Sequence, residues 1–137
     1  MNETEPVRVK HVMTNDYRLV DGLMMVNEAL AIMKSSGCVV LIVDKRNQND
    51  EYGIVLLTDI ARDVLAVDRS PARVNVYEIM TKPVVSVDPE MDIRYCARLF
   101  LRLGFSYAPV TLGGKLRGIV GYREMLLGGQ FENGSNH

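Results

Sequence analysis

An internal repeat constrains this sequence more than any other feature. Val12-Met13-Thr14 recurs 67 residues later as Ile79-Met80-Thr81. After a two-residue deletion in the second copy, Gly53-Ile54-Val55 aligns with Gly118-Ile119-Val120. A repeat of this length is one supersecondary unit that cannot bury its apolar face alone. The sequence therefore predicts two copies of one small unit, packed together around a shared core.

Each copy shows the same alternation of apolar patterns. Both copies contain a segment with apolar residues at i, i+3, i+4 and i+7, which predicts a helix with one buried face. These residues are Val26, Ala29, Leu30 and Met33 in the first copy, and Ile93, Cys96, Ala97 and Phe100 in the second. Asp92 is a predicted N-cap, and Gly37 and Gly104 are predicted to end the two helices.

Short β-branched and apolar runs predict three strands per copy. These are Leu19-Val20, 39–43 and 53–57 in the first copy, and 84–87, 107–112 and 116–122 in the second. The continuous run 39–43 indicates a strand covered on both faces, and Gly113-Gly114 predicts a tight hairpin. A closing helix follows each time, at 59–67 and 123–127. The predicted fold class is mixed α/β, with two tandem βαββα repeats related by pseudo-twofold symmetry.

The same patterns divide the chain into segments. We predict an N-terminal tail at 1–8, repeat one at 9–67, a linker at 68–75, repeat two at 76–128 and a flexible C-terminal tail at 129–137. The linker prediction rests on the polar stretch around Pro71.

Composition and charge argue against several classes of function. The net charge of −1 gives no basic surface for nucleic acid. No apolar run approaches the roughly 20 residues of a membrane helix, and no signal peptide is visible, so we expect a cytoplasmic protein without membrane insertion. Two cysteines in apolar patterns predict buried thiols, and two histidines without a cluster predict no metal site. No catalytic constellation is apparent, so we expect no enzyme activity and no required cofactor.

The repeated Met-Thr opening and the closing Gly-Ile-Val-x-x-x-Asp-Ile resemble the CBS domain, and the two copies resemble a CBS domain pair, or Bateman module. The resemblance covers about residues 9–128. It implies a flat module with two clefts between the repeats that bind AMP, ADP, ATP or S-adenosylmethionine. It also implies a regulatory role, exerted here on an enzyme or transporter in trans.

The resemblance also implies the site residues. In the family a carboxylate near the end of the closing motif binds the ribose hydroxyls, which fits a group that accepts two hydrogen bonds. Asp59 holds that position in the first copy and Glu124 in the second. The family's hydroxyl position is occupied by Leu56 and Gly121, which departs from the pattern. Neighbouring contacts are expected from Thr58 and Arg123.

The opposite walls of the two clefts are implied in the same way. For the cleft at Asp59, they comprise Thr81, Ser86, Ser106 and Tyr107, whose ring is placed to stack on a base. For the cleft at Glu124, they comprise Thr14, Leu19, Cys38 and Val39. We prefer the Asp59 cleft as the ligand site.

Two alternatives stay open at this stage. Thr58 and Asp59 are also residues that cap helices, so their role is structural in the competing interpretation. Loss of both hydroxyls also favours a dimerisation or interaction module with no nucleotide. In either case Leu99, Phe100, Leu101 and Leu103 exceed what one buried helix face needs, which predicts a homodimer.

Overall fold

The computed structural model describes residues 6–82 and 84–128. These residues contain five of the six predicted strands and four α-helices, with short 3₁₀ turns between them: β1 Arg18–Val20, α1 Val26–Ser36, β2 Val40–Val43, β3 Gly53–Leu56, α2 Leu57–Ile60, α3 Ile93–Leu103, β4 Tyr107–Leu112, β5 Lys115–Gly121 and α4 Tyr122–Leu127. A π-helical segment, Ala61–Leu65, continues α2 directly. The predicted C-terminal tail, 129–137, lies outside the described residues.

The described residues divide into two compact units, one within 16–84 and the other formed by 6–15 with 85–128. We call them the 16–84 unit and the second unit. The 16–84 unit holds a three-stranded sheet in the order β1-β2-β3, with β1 parallel and β3 antiparallel to β2. All four residues of β2 are buried, which confirms the strand predicted to be covered on both faces.

The two long helices confirm their predicted periodicity. Helix α1 buries Val26, Ala29 and Met33, and α3 buries Ile93, Cys96 and Phe100. Leu30 and Ala97 are half-buried at the edges of these faces. Both helices end at a glycine with positive φ, Gly37 at 77° and Gly104 at 75°, because a residue without Cβ enters the left-handed region at little cost. Asp92 is the N-cap of α3, and its Oδ1 accepts the Arg94 N–H at 2.8 Å.

The second unit contains the β4-β5 hairpin, closed by Gly113 and Gly114 with φ of 59° and 77°. The strand predicted at 84–87 is reduced to one parallel bridge between Val87 and Val110. The bridge uses the Val87 N–H to Pro109 O and the Thr111 N–H to Val87 O. The next rung would need an N–H at position 109 to reach the carbonyl of Val85. Proline has none, so the pairing stops.

In each unit, backbone pairing attaches the opening segment of one sequence copy to a strand of the other copy. In the second unit Thr14 and Ile119 exchange two N–H···O bonds, both 2.9 Å. In the 16–84 unit Thr81 and Ile54 do the same at 2.9 and 3.1 Å. Each unit has its own cluster of buried apolar side chains.

The paired segments approach the glycines of the closing motif closely. A Cβ added at Gly118 would lie 2.9 Å from the Thr14 carbonyl oxygen, and one added at Gly53 would lie 2.7 Å from Met80 Sδ. The Met-Thr and Gly-Ile-Val motifs of the sequence therefore contact each other, and this contact occurs once in each unit. A side chain at either position would meet the paired segment, at its backbone for Gly118 and at the flexible Met80 side chain for Gly53.

We predict that Gly118→Ala destabilises the fold more than Gly53→Ala. The obstacle at position 118 is a backbone oxygen that accepts the Ile119 N–H in a paired exchange, whereas Met80 Sδ is the flexible end of a side chain. Overpacking of this kind costs about 1–3 kcal/mol. Urea denaturation of both variants measures the difference. Equal losses in the free energy of unfolding would contradict the assignment of the Thr14 contact as the rigid one.

Candidate ligand site at the strand-to-helix turns

Asp59 lies where β3 turns into α2, and its carboxylate is already engaged. Its Oδ2 accepts the N–H of Leu56 at 2.7 Å, and its Oδ1 accepts from Arg62 Nη2 at 2.9 Å. The residue is only 7% exposed. The first bond satisfies a backbone donor at the helix start, as the third residue of a capping box does. The structural role weighed for Asp59 is therefore present, and its two oxygens retain further acceptor capacity because a carboxylate has about four lone-pair sites.

Arg62 is a residue of this turn that the sequence reasoning missed. Its guanidinium bridges two carboxylates, since Nη2 also reaches Asp63 Oδ2 at 3.0 Å and Nε reaches Asp63 Oδ1 at 2.9 Å. Asp63, and to a smaller extent Asp59, hold the pKa of Arg62 above its ordinary value, and Arg62 lowers the pKa of Asp63. The Arg62 side chain is 64% exposed, so its charge faces solvent. The i, i+3 spacing from Asp59 was the signal available in the sequence.

The other two predicted residues of this turn have different roles. Leu56 is half-buried and is the N-cap of α2. Thr58 is exposed and lies inside the helix, so its predicted alternative as an N-cap is wrong. Its hydroxyl-bearing side chain stands one residue before Asp59 on the same turn.

The second copy builds the same turn with a longer carboxylate. Glu124 Oε1 accepts the N–H of Gly121 at 2.8 Å at the junction of β5 and α4. Glu124 is half-buried and Arg123 is exposed. The carboxylates at both predicted ribose positions thus cap the start of a helix that follows a strand.

Tyr107 explains why the second copy has glycine at the family's hydroxyl position. A Cβ at Gly121 would lie 2.6 Å from Tyr107 Cε1, 2.7 Å from its Cδ1 and 2.9 Å from the Ser106 carbonyl oxygen. The aromatic ring therefore occupies the place where a serine or threonine would stand. Within the second unit, Tyr107 is a neighbour of the Gly121 turn.

Comparison with known proteins agrees with this arrangement of paired repeats. The CBS domain family model matches twice, over residues 9–66 and 76–127. The chain belongs to the CBS domain family. The structure of a hexameric CBS-CP12 protein from bloom-forming cyanobacteria is 37% identical with a TM-score of 0.89, and the match covers 93% of this chain and 70% of that one.

Two structures with bound adenosine compounds share the CBS pair fold at lower identity. The CBS pair of protein MJ0100, in complex with 5′-methylthioadenosine and S-adenosyl-L-methionine, is 22% identical with a TM-score of 0.77, covering 92% of this chain and 99% of that one. CBSX2 in complex with AMP is 22% identical with a TM-score of 0.72, covering 92% and 98%.

The chain spans less than half the length of the curated relatives it matches. An uncharacterised protein from Methanopyrus kandleri is 30% identical over 92 residues, which are 66% of this chain and 45% of that protein. Another from Thermofilum pendens is 28% identical over 130 residues, which are 88% of this chain and 43% of that protein.

The residues predicted from the CBS motif fall into both units. Those in the 16–84 unit are Leu19, Cys38, Val39, Leu56, Thr58, Asp59 and Thr81; those in the second unit are Thr14, Ser86, Ser106, Tyr107, Gly121, Arg123 and Glu124. Within the first set, Leu19, Val39 and Thr81 are exposed, and within the second, Ser86 and Ser106 are exposed. Thr14 and Thr81 are placed by the backbone pairing described above.

The two cysteines of the CBS pair are buried thiols, as predicted. The Ser36 hydroxyl donates to Cys38 Sγ at 3.0 Å, and burial raises the pKa of the Cys96 thiol to about 11. The Cys96 thiol is therefore not suited to act as a thiolate nucleophile. Within residues 6–82 and 84–128, no group of three or more potential metal ligands occurs, and no helix is long and apolar enough to cross a membrane.

We predict that Gly121→Ser, which restores the CBS hydroxyl, destabilises the protein unless Tyr107 is also shortened. The added Cβ meets the Tyr107 ring, so Gly121→Ser should cost about 1–3 kcal/mol. A double-mutant cycle with Tyr107→Ala, read by urea denaturation, should give a coupling of at least about 0.5 kcal/mol that favours the double variant. Additive losses would show that the ring is not the obstacle.

Proposed function

We propose that this CBS pair is a regulatory, non-catalytic module that binds an adenosine-type ligand (AMP, ADP, ATP or S-adenosylmethionine) and acts on an enzyme or transporter in trans. The observation that carries the proposal is the Asp59 carboxylate. It occupies the family's ribose position and is held in one orientation by the Leu56 N–H and by Arg62. A preorganised acceptor loses little freedom when it meets a ligand.

The chemistry of the turn suits a nucleoside. The 2′- and 3′-hydroxyls of ribose are donors, and an ionised carboxylate accepts two such bonds, each charge-assisted. The exposed guanidinium of Arg62 is a donor group that suits phosphate. Arg62, one turn after the ribose position, and Thr58, one residue before it, therefore supply the polar contacts that Leu56 does not.

Relatives support the ligand class. The MJ0100 pair holds 5′-methylthioadenosine and S-adenosyl-L-methionine, and CBSX2 holds AMP. These ligands share an adenine base and a ribose. An acceptor for ribose is also the feature of the family motif that this chain retains in both copies.

Asp59 is favoured over Glu124 because the two turns have different neighbours. Glu124 lies beside a position that the Tyr107 ring fills. Asp59 has a cationic partner on the next turn of its own helix. We therefore assign the stronger binding to the turn at Asp59.

We predict that Asp59→Ala lowers the affinity for AMP or S-adenosylmethionine by tenfold or more. Removal of one charge-assisted hydrogen bond costs about 1.5–3 kcal/mol, and about 1.4 kcal/mol is a factor of ten. Isothermal titration calorimetry on the full chain measures the affinity. Because Asp59 also caps α2, the variant should lose about 0.5–2 kcal/mol of stability whether or not it binds ligand.

Two matched variants separate binding from capping. Glu124→Ala removes the equivalent cap at Gly121 and should lose stability while affinity falls less. Asp63→Asn removes the other carboxylate partner of Arg62 and should leave affinity within about twofold. If Asp59→Ala loses stability and keeps its affinity, the ribose assignment is wrong.

A second candidate function is an interaction module without a nucleotide, as the missing hydroxyls at Leu56 and Gly121 suggest. Exposed leucines in the second unit favour this candidate: Leu101 is 75% exposed and Leu127 67%. Phe100, one of the four residues that crowd around this helix, lies in the core against Phe105 and Tyr122, as its place in the predicted buried face requires. The CBS-CP12 relative is hexameric.

We predict that the chain forms at least a homodimer through these leucines, because an apolar patch on the two contacting helices α3 and α4 would mark an interaction surface. Leu101→Glu should shift the mass seen by light scattering toward the monomer. Arg102→Glu, the neighbouring exposed residue, is the matched charge control and should have a smaller effect. A wild-type chain that is monomeric at micromolar concentration would contradict the prediction.

A further inference from the structure

The outer side of α3 carries a row of arginines. Arg94, Arg98 and Arg102 are exposed and stand four residues apart, so they follow one side of the helix over about 12 Å. This side lies opposite the buried apolar face of α3. Tyr95, which is 51% exposed, lies beside Arg98 and Arg102 at the i+3 and i+7 spacings. We call these four residues the arginine face.

Carboxylates do not neutralise the arginine face. Arg94 Nη2 lies 2.9 Å from Asp92 Oδ2. The side chains of Arg98 and Arg102 have no hydrogen bond or salt bridge to any residue that the structure describes. Helix α3 contains no aspartate or glutamate of its own. Because like charges four residues apart destabilise a helix, the row opposes the stability of α3 instead of adding to it.

The second unit as a whole has an excess of positive charge. Residues 6–15 and 85–128 contain eight lysines and arginines but four aspartates and glutamates. The carboxylates other than Asp92 are engaged elsewhere. Glu90 forms ion pairs with Arg8 and Lys10, and Asp88 and Glu124 each accept a backbone N–H. The charge of the arginine face is therefore available to a molecule that approaches from solvent.

The equivalent helix of the first copy shows that the fold does not need these arginines. At the repeat offset of 67 residues, Asn27, Ala31 and Ser35 of α1 stand where α3 has its three arginines. All three are exposed, and α1 buries apolar residues at the positions that α3 also buries. The two copies have therefore kept the same buried face and have diverged on the outer one. Residues that oppose local stability and that the fold does not require are typical of a functional surface.

We propose that the arginine face binds an acidic polypeptide segment of the partner on which the module acts. Carboxylates of the segment meet the guanidiniums, which bind such groups in a bidentate geometry, and an apolar side chain packs on Tyr95. Arginine and tyrosine are both enriched at protein–protein interfaces. The inference rests on the proposed action in trans, but it does not depend on nucleotide binding at Asp59.

The distribution of charge argues against two other occupants. In a twofold interface the same patch faces itself, so a second copy centred here would bring arginines against arginines. The homodimer predicted above uses Leu101, which lies on the other side of the arginine row from Tyr95. A nucleic acid is typically held by roughly six to ten phosphate contacts, which is more than one row of three arginines supplies.

Fluorescence anisotropy on the full chain tests the proposal with a labelled synthetic peptide. The probe has about 15 residues, enough to form a helix, with glutamate at every fourth position and leucines between the glutamates. It should bind saturably. A peptide with lysine in place of each glutamate should bind at least about tenfold more weakly. Absence of saturable binding by the glutamate peptide, or equal binding of the two peptides, would overturn the proposal.

Matched charge variants locate the binding surface. Arg98→Ala with Arg102→Ser gives α3 the residues that α1 carries at the same positions, and should weaken binding of the glutamate peptide by about tenfold. Lys115→Gln with Arg117→Gln removes the same charge from exposed positions of β5 and should change the affinity by less than about twofold. Asp59→Ala should leave the peptide affinity unchanged, so loss of AMP binding and loss of peptide binding report on different sites.

Three further results would contradict the proposal. Equal weakening by the two double variants would mean that the peptide responds only to net charge. A lower mass by light scattering for the α3 double variant, with its peptide affinity intact, would assign the face to a second copy of the chain. Tighter binding of single-stranded DNA than of the glutamate peptide would assign it to a nucleic acid.

Discussion

The fold depends on two backbone exchanges that cross the sequence repeats. Thr14 pairs with Ile119, and Thr81 pairs with Ile54. Each exchange ties the opening segment of one copy into the unit that holds the other, and lays it against a glycine that has no room for a side chain. Val9 and Val12 join the core of the second unit for the same reason. A repeat cut at its sequence boundary would lose part of its own core.

The fold also separates structural features that the sequence predicts from features that it does not predict. The long helices followed from a 3.6-residue period and from a glycine at each end, because one buried face and one cap are local properties. The strand expected at 84–87 failed because its hydrogen bonds depend on a distant residue, Pro109. In the first copy the equivalent position is Ile42, whose N–H completes the β1–β2 ladder. Strand propensity alone does not identify the residues with which a strand will pair.

The candidate site likewise combines residues that the sequence predicts with residues that it does not predict. Asp59 and Glu124 were found because a motif places them, and their capping role was an alternative that the residue types suggested. Arg62 is not predicted from the sequence, because an arginine in a polar helix is usually a solvated residue. Its role depends on the two carboxylates that its guanidinium bridges. The contact of Tyr107 with Gly121 was also inaccessible, since it joins the two strands of a hairpin through the absence of a side chain.

These differences in side chains make the two sequence copies unequal. The two copies share a fold and a cap, so the helix starts at Asp59 and Glu124 perform the same structural task. They differ in what surrounds the carboxylate, with Arg62 beside one and the neighbourhood of Tyr107 beside the other. They differ again in the connection that carries Lys45 and Asp50. Both differences place ionised side chains in the 16–84 unit, which is why we propose the stronger ligand site there and not in the second unit.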